Sequence, residues 1–198
     1  MRTLFESDDL PADRMYRLLT ASVLPRPIAW VSTRSAAGVT NLAPYSFFTV
    51  SSTAPPVVQF TSVTRKDSLR NIEETGEFVV NLATAALIDR INASSATFAA
   101  DLSEFDEVGV TAEPSATVTP PRVAQSPIAI ECGLHRVVEV GNSFVVMGAV
   151  RAISVRTDAL AADGLPDFAA LAPVSRLGRA EWGLPPEVRV LPRPGPPT

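Results

Sequence analysis

The sequence predicts a mainly β fold, an antiparallel β-barrel with peripheral short helices, and three observations carry that expectation. Two long β-forming runs, Ile128 to Val140 and Ser143 to Val155, are joined by Gly141-Asn142, a two-residue connection of the kind tight hairpins favour. An apolar run, Ile28 to Thr33, is separated from an extended return segment, Val39 to Thr49, by the turn Arg34 to Gly38. Strands and helices alternate in the middle of the chain as in an α/β protein. The strands there are nonetheless adjacent hairpins, and long β runs return later, which favours a decorated barrel.

Each element follows from local pattern. Pro11 to Thr20 places Met15, Leu18 and Leu19 at i, i+3, i+4, with Asp13 in the first turn and Pro11 suited to the helix start, so a short amphipathic helix is expected on the outside of a sheet. Pro55-Pro56 is expected to stop pairing after the first hairpin. Val57 to Ser62 then alternates Val58 and Phe60 against Val57, Gln59 and Thr61, a third strand. Asp67 to Thr75 reads as a helix capped by Asp67 or Ser68, with Leu69 and Ile72 inward and Gly76 in the left-handed position after it. Phe78 to Leu82 is a strand, and Ala85 to Ala96 is a helix with Leu87, Ile88 and Ile91 inward. Ala100 to Val118, acidic at Asp101, Glu104, Asp106 and Glu107, reads as a solvated connection. The proline-rich tail, 184–198, cannot be helical and follows a single domain over 1–183.

Composition excludes several function classes. With 198 residues, 46% hydrophobic and 19% charged, the chain can bury a core, and its net charge of −4 argues against nucleic-acid binding. No run approaches the ~20 apolar residues of a membrane span, and Glu6, Asp8 and Asp9 stand where a signal peptide needs cations, so a cytoplasmic protein is expected. One cysteine, Cys132, allows no internal disulfide, and one histidine, His135, allows no His-rich metal site. On a strand, Cys132 and His135 fall on opposite faces, so no metal centre is expected; Cys132 reads as a buried apolar residue. Neither the P-loop pattern nor G-x-G-x-x-G occurs, which removes Walker ATPases and Rossmann dinucleotide domains.

Several stretches, in order, carry a family pattern. They are Pro25-Arg26-Pro27-Ile28-Ala29-Trp30-Val31-Ser32-Thr33; Gly38-Val39-Thr40-Asn41-Leu42-Ala43-Pro44-Tyr45-Ser46-Phe47-Phe48; and Lys66-Asp67-Ser68 with Asn71-Ile72 and Gly76-Glu77-Phe78-Val79-Val80-Asn81. Downstream come Glu104-Phe105-Asp106 with Gly109-Val110-Thr111, Ser126-Pro127-Ile128 with Glu131-Cys132, and Arg176-Leu177-Gly178. Over roughly residues 20 to 183 the chain resembles the flavin reductase-like family, the FMN-binding split barrels that include flavoredoxin. The resemblance implies a homodimeric antiparallel split β-barrel of Greek-key type, with FMN near the dimer interface, reduced by NADH or NADPH, and a monooxygenase or other electron acceptor downstream. It implies flavin contacts at Ser32, Thr33, Asn41, Ala43, Ser46 and Phe47 and phosphate contacts at Arg65, Lys66 and Ser68. No catalytic acid–base residue is expected. The alternatives are a non-enzymatic FMN electron carrier and a barrel without flavin that binds ligands or assembles.

The residues suit such a site. A phosphate needs donors and positive charge, preferably at a helix start, and Arg65-Lys66-Asp67-Ser68 supplies them; Lys66 is the only lysine. Asp67 is expected to cap the helix and hold Lys66. An isoalloxazine ring needs a flat slot with polar edges, which Asn41 to Phe48 can form around Pro44, although Phe47, Phe48 and Trp30, each taken singly, read better as barrel core. Arg179 and Trp182 stand where the family pattern has a second glycine and then a tyrosine. Trp182 either stacks over the pocket or anchors the tail.

Overall fold

Alternating side chains of a strand point to opposite faces, so a strand apolar on both faces must be covered on both. Residues 28–31 are such a case: Ala29 and Val31 join one buried cluster, Ile28 and Trp30 another, and none is more than 4% exposed. The computed structural model describes residues 1–195, and Pro196 and Pro197 of the proline-rich tail lie outside them. In chain order the elements are α1 (Ala12–Ser22), β1 (Arg26–Pro27), β2 (Ala29–Arg34), β3 (Thr40–Tyr45), β4 (Phe48–Thr53), β5 (Pro56–Val63), α2 (Asp67–Thr75) and β6 (Glu77–Leu82). There follow α3 (Ile88–Ala93), α4 (Glu104–Glu107), β7 (Ala112–Glu113), β8 (Arg122–Val123), β9 (Ile128–Val140), β10 (Ser143–Val155), α5 (Phe168–Leu171), β11 (Ser175–Arg176) and β12 (Trp182–Gly183).

The main sheet runs β3-β2-β6-β9-β10-β5-β4, with every neighbouring pair antiparallel. Its edge strands β3 and β4 are consecutive in the chain and separated only by Ser46 and Phe47. Tyr45 and Phe48 therefore stand at most about 11 Å apart, and the sheet has to curl until its edges meet. Thr61 N–H donates to Phe47 O at 2.8 Å and ties that corner to β5. Curling brings the two edge strands together at this corner. Val31, Tyr45, Phe60, Phe78, Val80, Cys132 and Val146 fill the interior, and Leu69 and Ile72 of α2 are buried in the same cluster. The outer cluster of Trp30, Leu42, Ile91, Phe105 and Val123 is covered by α3, α4 and β8.

The mainly β split-barrel architecture is as expected, and so are β2, α2 and the β9–β10 hairpin. Gly76 adopts φ 74°, the left-handed stop expected of it. Elsewhere tertiary structure overrides local pattern. Val39 to Thr49 is two strands, because the chain must pass from one sheet edge to the other at Ser46-Phe47. Pro56 does not end pairing; it opens β5 opposite Thr53, a first-strand position that needs no ladder N–H. The helix expected over Ala85 to Ala96 is a 3-10 turn followed by α3, and it ends where the Ser94 hydroxyl donates to Ile91 O and accepts from Trp30 Nε1, each at 2.9 Å. In α1 only Thr20 is buried, with Leu19 55% and Tyr16 53% exposed, so the single chain leaves much of that helix's apolar face uncovered. Cys132 is fully buried and burial pushes its thiol up to about 12, whereas His135 on the same strand is exposed. Among the described residues no helix is long and apolar enough to cross a membrane.

One packing prediction follows from β10. A Cβ on Gly148 would stand 2.3 Å from Phe78 Cζ and 2.9 Å from Cys132 Cβ, all inside the barrel. Gly148→Ala is expected to cost about 1–3 kcal/mol of unfolding free energy by urea titration. Gly133→Ala meets only the guanidinium of Arg151, a side-chain end that can swing away, and should cost less.

Candidate functional site

The start of α2 sets the chemistry of the largest cleft around β3. Arg70 N–H is the first to bond back along the helix, to Lys66 O at 3.1 Å, so the amides of Asp67, Ser68 and Leu69 precede the helical ladder. Lys66 occupies the cap position and no side chain caps the helix. This corrects the expected capping. Asp67 instead accepts from Arg70 Nη2 at 2.5 Å, and the Ser68 hydroxyl donates across to Asn41 Oδ1 at 2.7 Å. Nor does Asp67 hold Lys66, which forms no salt bridge among the described residues. The result is an open helix terminus with its positive dipole end and an unpaired ammonium side by side, an arrangement suited to an anion.

This terminus opens on a cleft of about 290 Å³ that brings Asn41, Ala43, Arg65, Lys66 and Ser68 together. It is also lined by Ser94 and Ser95, which pattern reading absorbed into a helix end, and by Thr97 just beyond that helix, all three left out of the site. A smaller cleft of about 130 Å³ shares Pro44 and Ser95 with it and adds Ser46 and Trp182. Phe47 lines neither cleft; its ring centroid lies 6.0 Å from the guanidinium carbon of Arg26. Arg65 is exposed, bonded to Glu73 at 2.5 and 3.2 Å, and its guanidinium carbon lies 4.9 Å from the centre of the Phe144 ring. Its charge is shared with Glu73, whose bonds raise its pKa.

Ser32 and Thr33 are wholly buried in the barrel wall behind the clefts. The Ser32 hydroxyl donates to Pro121 O at 2.5 Å. Thr33 Oγ1 belongs to a relay in which Asn71 Nδ2 donates to Thr33 Oγ1 at 3.0 Å and Thr33 donates to Asn41 Oδ1 at 3.3 Å. Asn41 Nδ2 then donates to Glu104 Oε1 at 2.7 Å. Glu104 also accepts from Leu42 N–H at 3.0 Å and is only 6% exposed. This overturns the expected solvated connection, since the carboxylate of α4 completes the hydrogen bonds of β3. Burial is the largest influence on it and raises its pKa against the bonds from Leu42 and Asn41.

A phosphorylated, flat, polar-edged ligand fits the cleft. Lys66, the open amides of α2 and the Thr97 hydroxyl present donors, whereas the Ser94 and Ser95 hydroxyls already donate to Ile91 O and Asn92 O; both bordering acids are engaged elsewhere, Asp67 with Arg70 and Glu104 with Asn41 and Leu42. The described residues hold no cluster of three or more His, Cys, Asp or Glu able to bind a metal.

The fold recurs in known proteins. The chain superposes on nitrilotriacetate monooxygenase component B from Bacillus cereus with a TM-score of 0.93 and 28% identity, covering 96% of this chain and 99% of that one. It superposes on Pseudomonas fluorescens 2-nitrobenzoate 2-nitroreductase NbaA with a TM-score of 0.90 and 30% identity, covering 97% and 96%. Flavoredoxin of Desulfovibrio vulgaris (Miyazaki F), at 21% identity and a TM-score of 0.78 over 95% and 97% of the two chains, shares the fold. Residues 21–169 match the flavin reductase-like domain, the stretch that builds the barrel, the α2 terminus and the cleft between them, and the chain belongs to that family.

Proposed function

We propose that the protein is an FMN-dependent oxidoreductase that takes hydride from NADH or NADPH and passes electrons to an acceptor. The observation that carries this reading is the uncapped start of α2 with its unpaired Lys66, opening on a cleft of hydroxyls and amides. There Lys66, Arg65 and the amides after it bind the FMN phosphate, with Ser68 fixed against Asn41. Asn41, Ala43 and Ser46 border the ring, and the relay through Thr33 and Glu104 holds Asn41 in one orientation. Bound flavin supplies two-electron acceptance and its return in one or two steps. The chain's part is to hold, orient and exclude water; hydride transfer asks no acid or base of it.

The chain works in this reading as a cytoplasmic homodimer; the dimer is supported by the uncovered apolar residues Leu19 and Val23 of the α1 region. A partner oxygenase is one acceptor class, since the similar Bacillus cereus protein is a monooxygenase component. The test is to mix purified protein with FMN, filter it, and add NADPH or NADH anaerobically. Retained yellow colour that bleaches with either nucleotide is the expected outcome. Colour that only dithionite bleaches would make the protein an electron carrier, and no retention at any FMN concentration would remove flavin from its function.

A further inference from the structure

The smaller cleft continues, through Ser46 and Arg176, into a groove of about 640 Å³ between α1 and the β1–β11–β12 sheet. Five arginines line it, Arg14, Arg17, Arg26, Arg176 and Arg179, and no acidic side chain does. Two of them stand directly opposite each other, Arg26 of β1 against Arg176 of β11. Like charges in that register repel and need an external reason to persist. Arg26 is only 6% exposed, and its guanidinium donates to the carbonyls of Thr20, Val23 and Leu177 and to Ser46 Oγ. All these partners are neutral. Burial first, and then the charge of Arg176, lowers the Arg26 pKa, as expected of a cation held without a counter-ion. Arg176 likewise has no carboxylate partner among the described residues; its guanidinium carbon stands 5.0 Å from the centre of the Trp182 ring. Among the described residues only Arg179 of the five forms an ion pair, with Glu181 at 3.4 Å.

Neutral hydrogen bonds satisfy a guanidinium's protons but leave its charge uncompensated, so this groove is built for an anion that arrives from outside. A single carboxylate is matched by one arginine, whereas five arginines in one groove suit a ligand with several charges. We propose that this groove binds the phosphates of NADPH beside the flavin cleft, and that Arg14, Arg17 and Arg176 make the protein prefer NADPH to NADH. The inference rests on the donor reading given above and adds to it the site and its selectivity. NADPH carries about two more negative charges than NADH, on the ribose phosphate, and these are the charges the arginines distinguish.

The experiment needs no turnover. With FMN at saturation, 2′,5′-ADP and adenosine 5′-phosphate are titrated calorimetrically into the wild type, Arg176→Ala, and the double variant Arg14→Ala, Arg17→Ala. The double variant changes only exposed positions of α1 that favour alanine, so it keeps its fold even if Arg176→Ala does not. The expected result is 2′,5′-ADP binding at least ~10-fold tighter than adenosine 5′-phosphate, with the gap narrowing in the variants and at high salt. Equal affinity for the two probes, or an unchanged gap in the double variant, overturns the proposal. Anaerobic rapid mixing separates it from the donor reading. Equal bleaching by both nucleotides at equal concentration sinks the groove assignment alone. Selective 2′,5′-ADP binding with no bleaching by either nucleotide sinks the donor reading and leaves the phosphate groove standing.

Discussion

Glu104→Ala is expected to lower the unfolding free energy by roughly 3 kcal/mol and to weaken FMN binding, because two buried donors, Asn41 Nδ2 and Leu42 N–H, lose their only acceptor. The stability loss reflects two unsatisfied groups at about 1–3 kcal/mol each, reduced by whatever water the cavity admits. The loss of affinity has a different cause. Asn41 Oδ1 accepts from Ser68 at 2.7 Å and from Thr33 at 3.3 Å only while its amide nitrogen is held by Glu104, and without that anchor the amide can rotate. Urea titration measures the first effect and quenching of flavin fluorescence the second. Thr33→Val, which breaks the same relay further from the cleft, should show a smaller loss of affinity.

The same carboxylate imposes a pH dependence. Its folded pKa lies above the ordinary value, chiefly through burial, so the fold favours its protonated form. That contribution is fully present below the ordinary carboxylate pKa and is lost as pH rises through the folded value. Glu104→Gln, which cannot ionise, should lose this segment of the stability curve, which begins at the ordinary carboxylate pKa and ends above the raised folded one. A variant curve parallel to wild type over that range would show that Glu104 does not titrate there.

Lys66→Ala is expected to raise the dissociation constant for FMN by about 10- to 100-fold, the span of one charge-assisted phosphate contact, while stability changes little because the side chain is exposed. Arg65→Ala should do less, since Glu73 already shares its charge. The affinity of wild type should fall with added salt and that of the double variant Arg65→Ala, Lys66→Ala should be nearly salt-independent. If the double variant binds FMN as wild type does, the phosphate lies elsewhere.

How far each of these residues could be read from sequence depended on the range of its contacts. Gly76 and the helix before it were legible because a left-handed stop and an i, i+3 apolar pair are local statements. Lys66 was legible as a cation at a helix start, but the open cap was not, because Ser68 and Asp67 could each have capped it and were drawn elsewhere by Asn41 and Arg70. Glu104 was hidden in an acidic run that reads as solvent-facing. Nothing local shows that its neighbour Phe105 is 1% exposed and carries α4 onto β3. The Ser94, Ser95 and Thr97 wall was hidden by the helical pattern before it, which continues in sequence past the point where Ser94 binds Trp30 and ends the turn.

By itself the sequence determined the antiparallel barrel, the long β9–β10 ladder, the cation at the α2 terminus and the family, because period-two burial, turn chemistry and motif order are written in neighbouring residues. Only the tertiary structure decided which polar groups face the cleft and which are walled behind it. Ser32 and Thr33 turned inward, Glu104 met Asn41 across 63 positions, and Arg176 was set against the buried Arg26 across 150. Strand pattern states that a face is buried or free. Which distant face closes over it is settled by the curl of the sheet and by the helices that cover it.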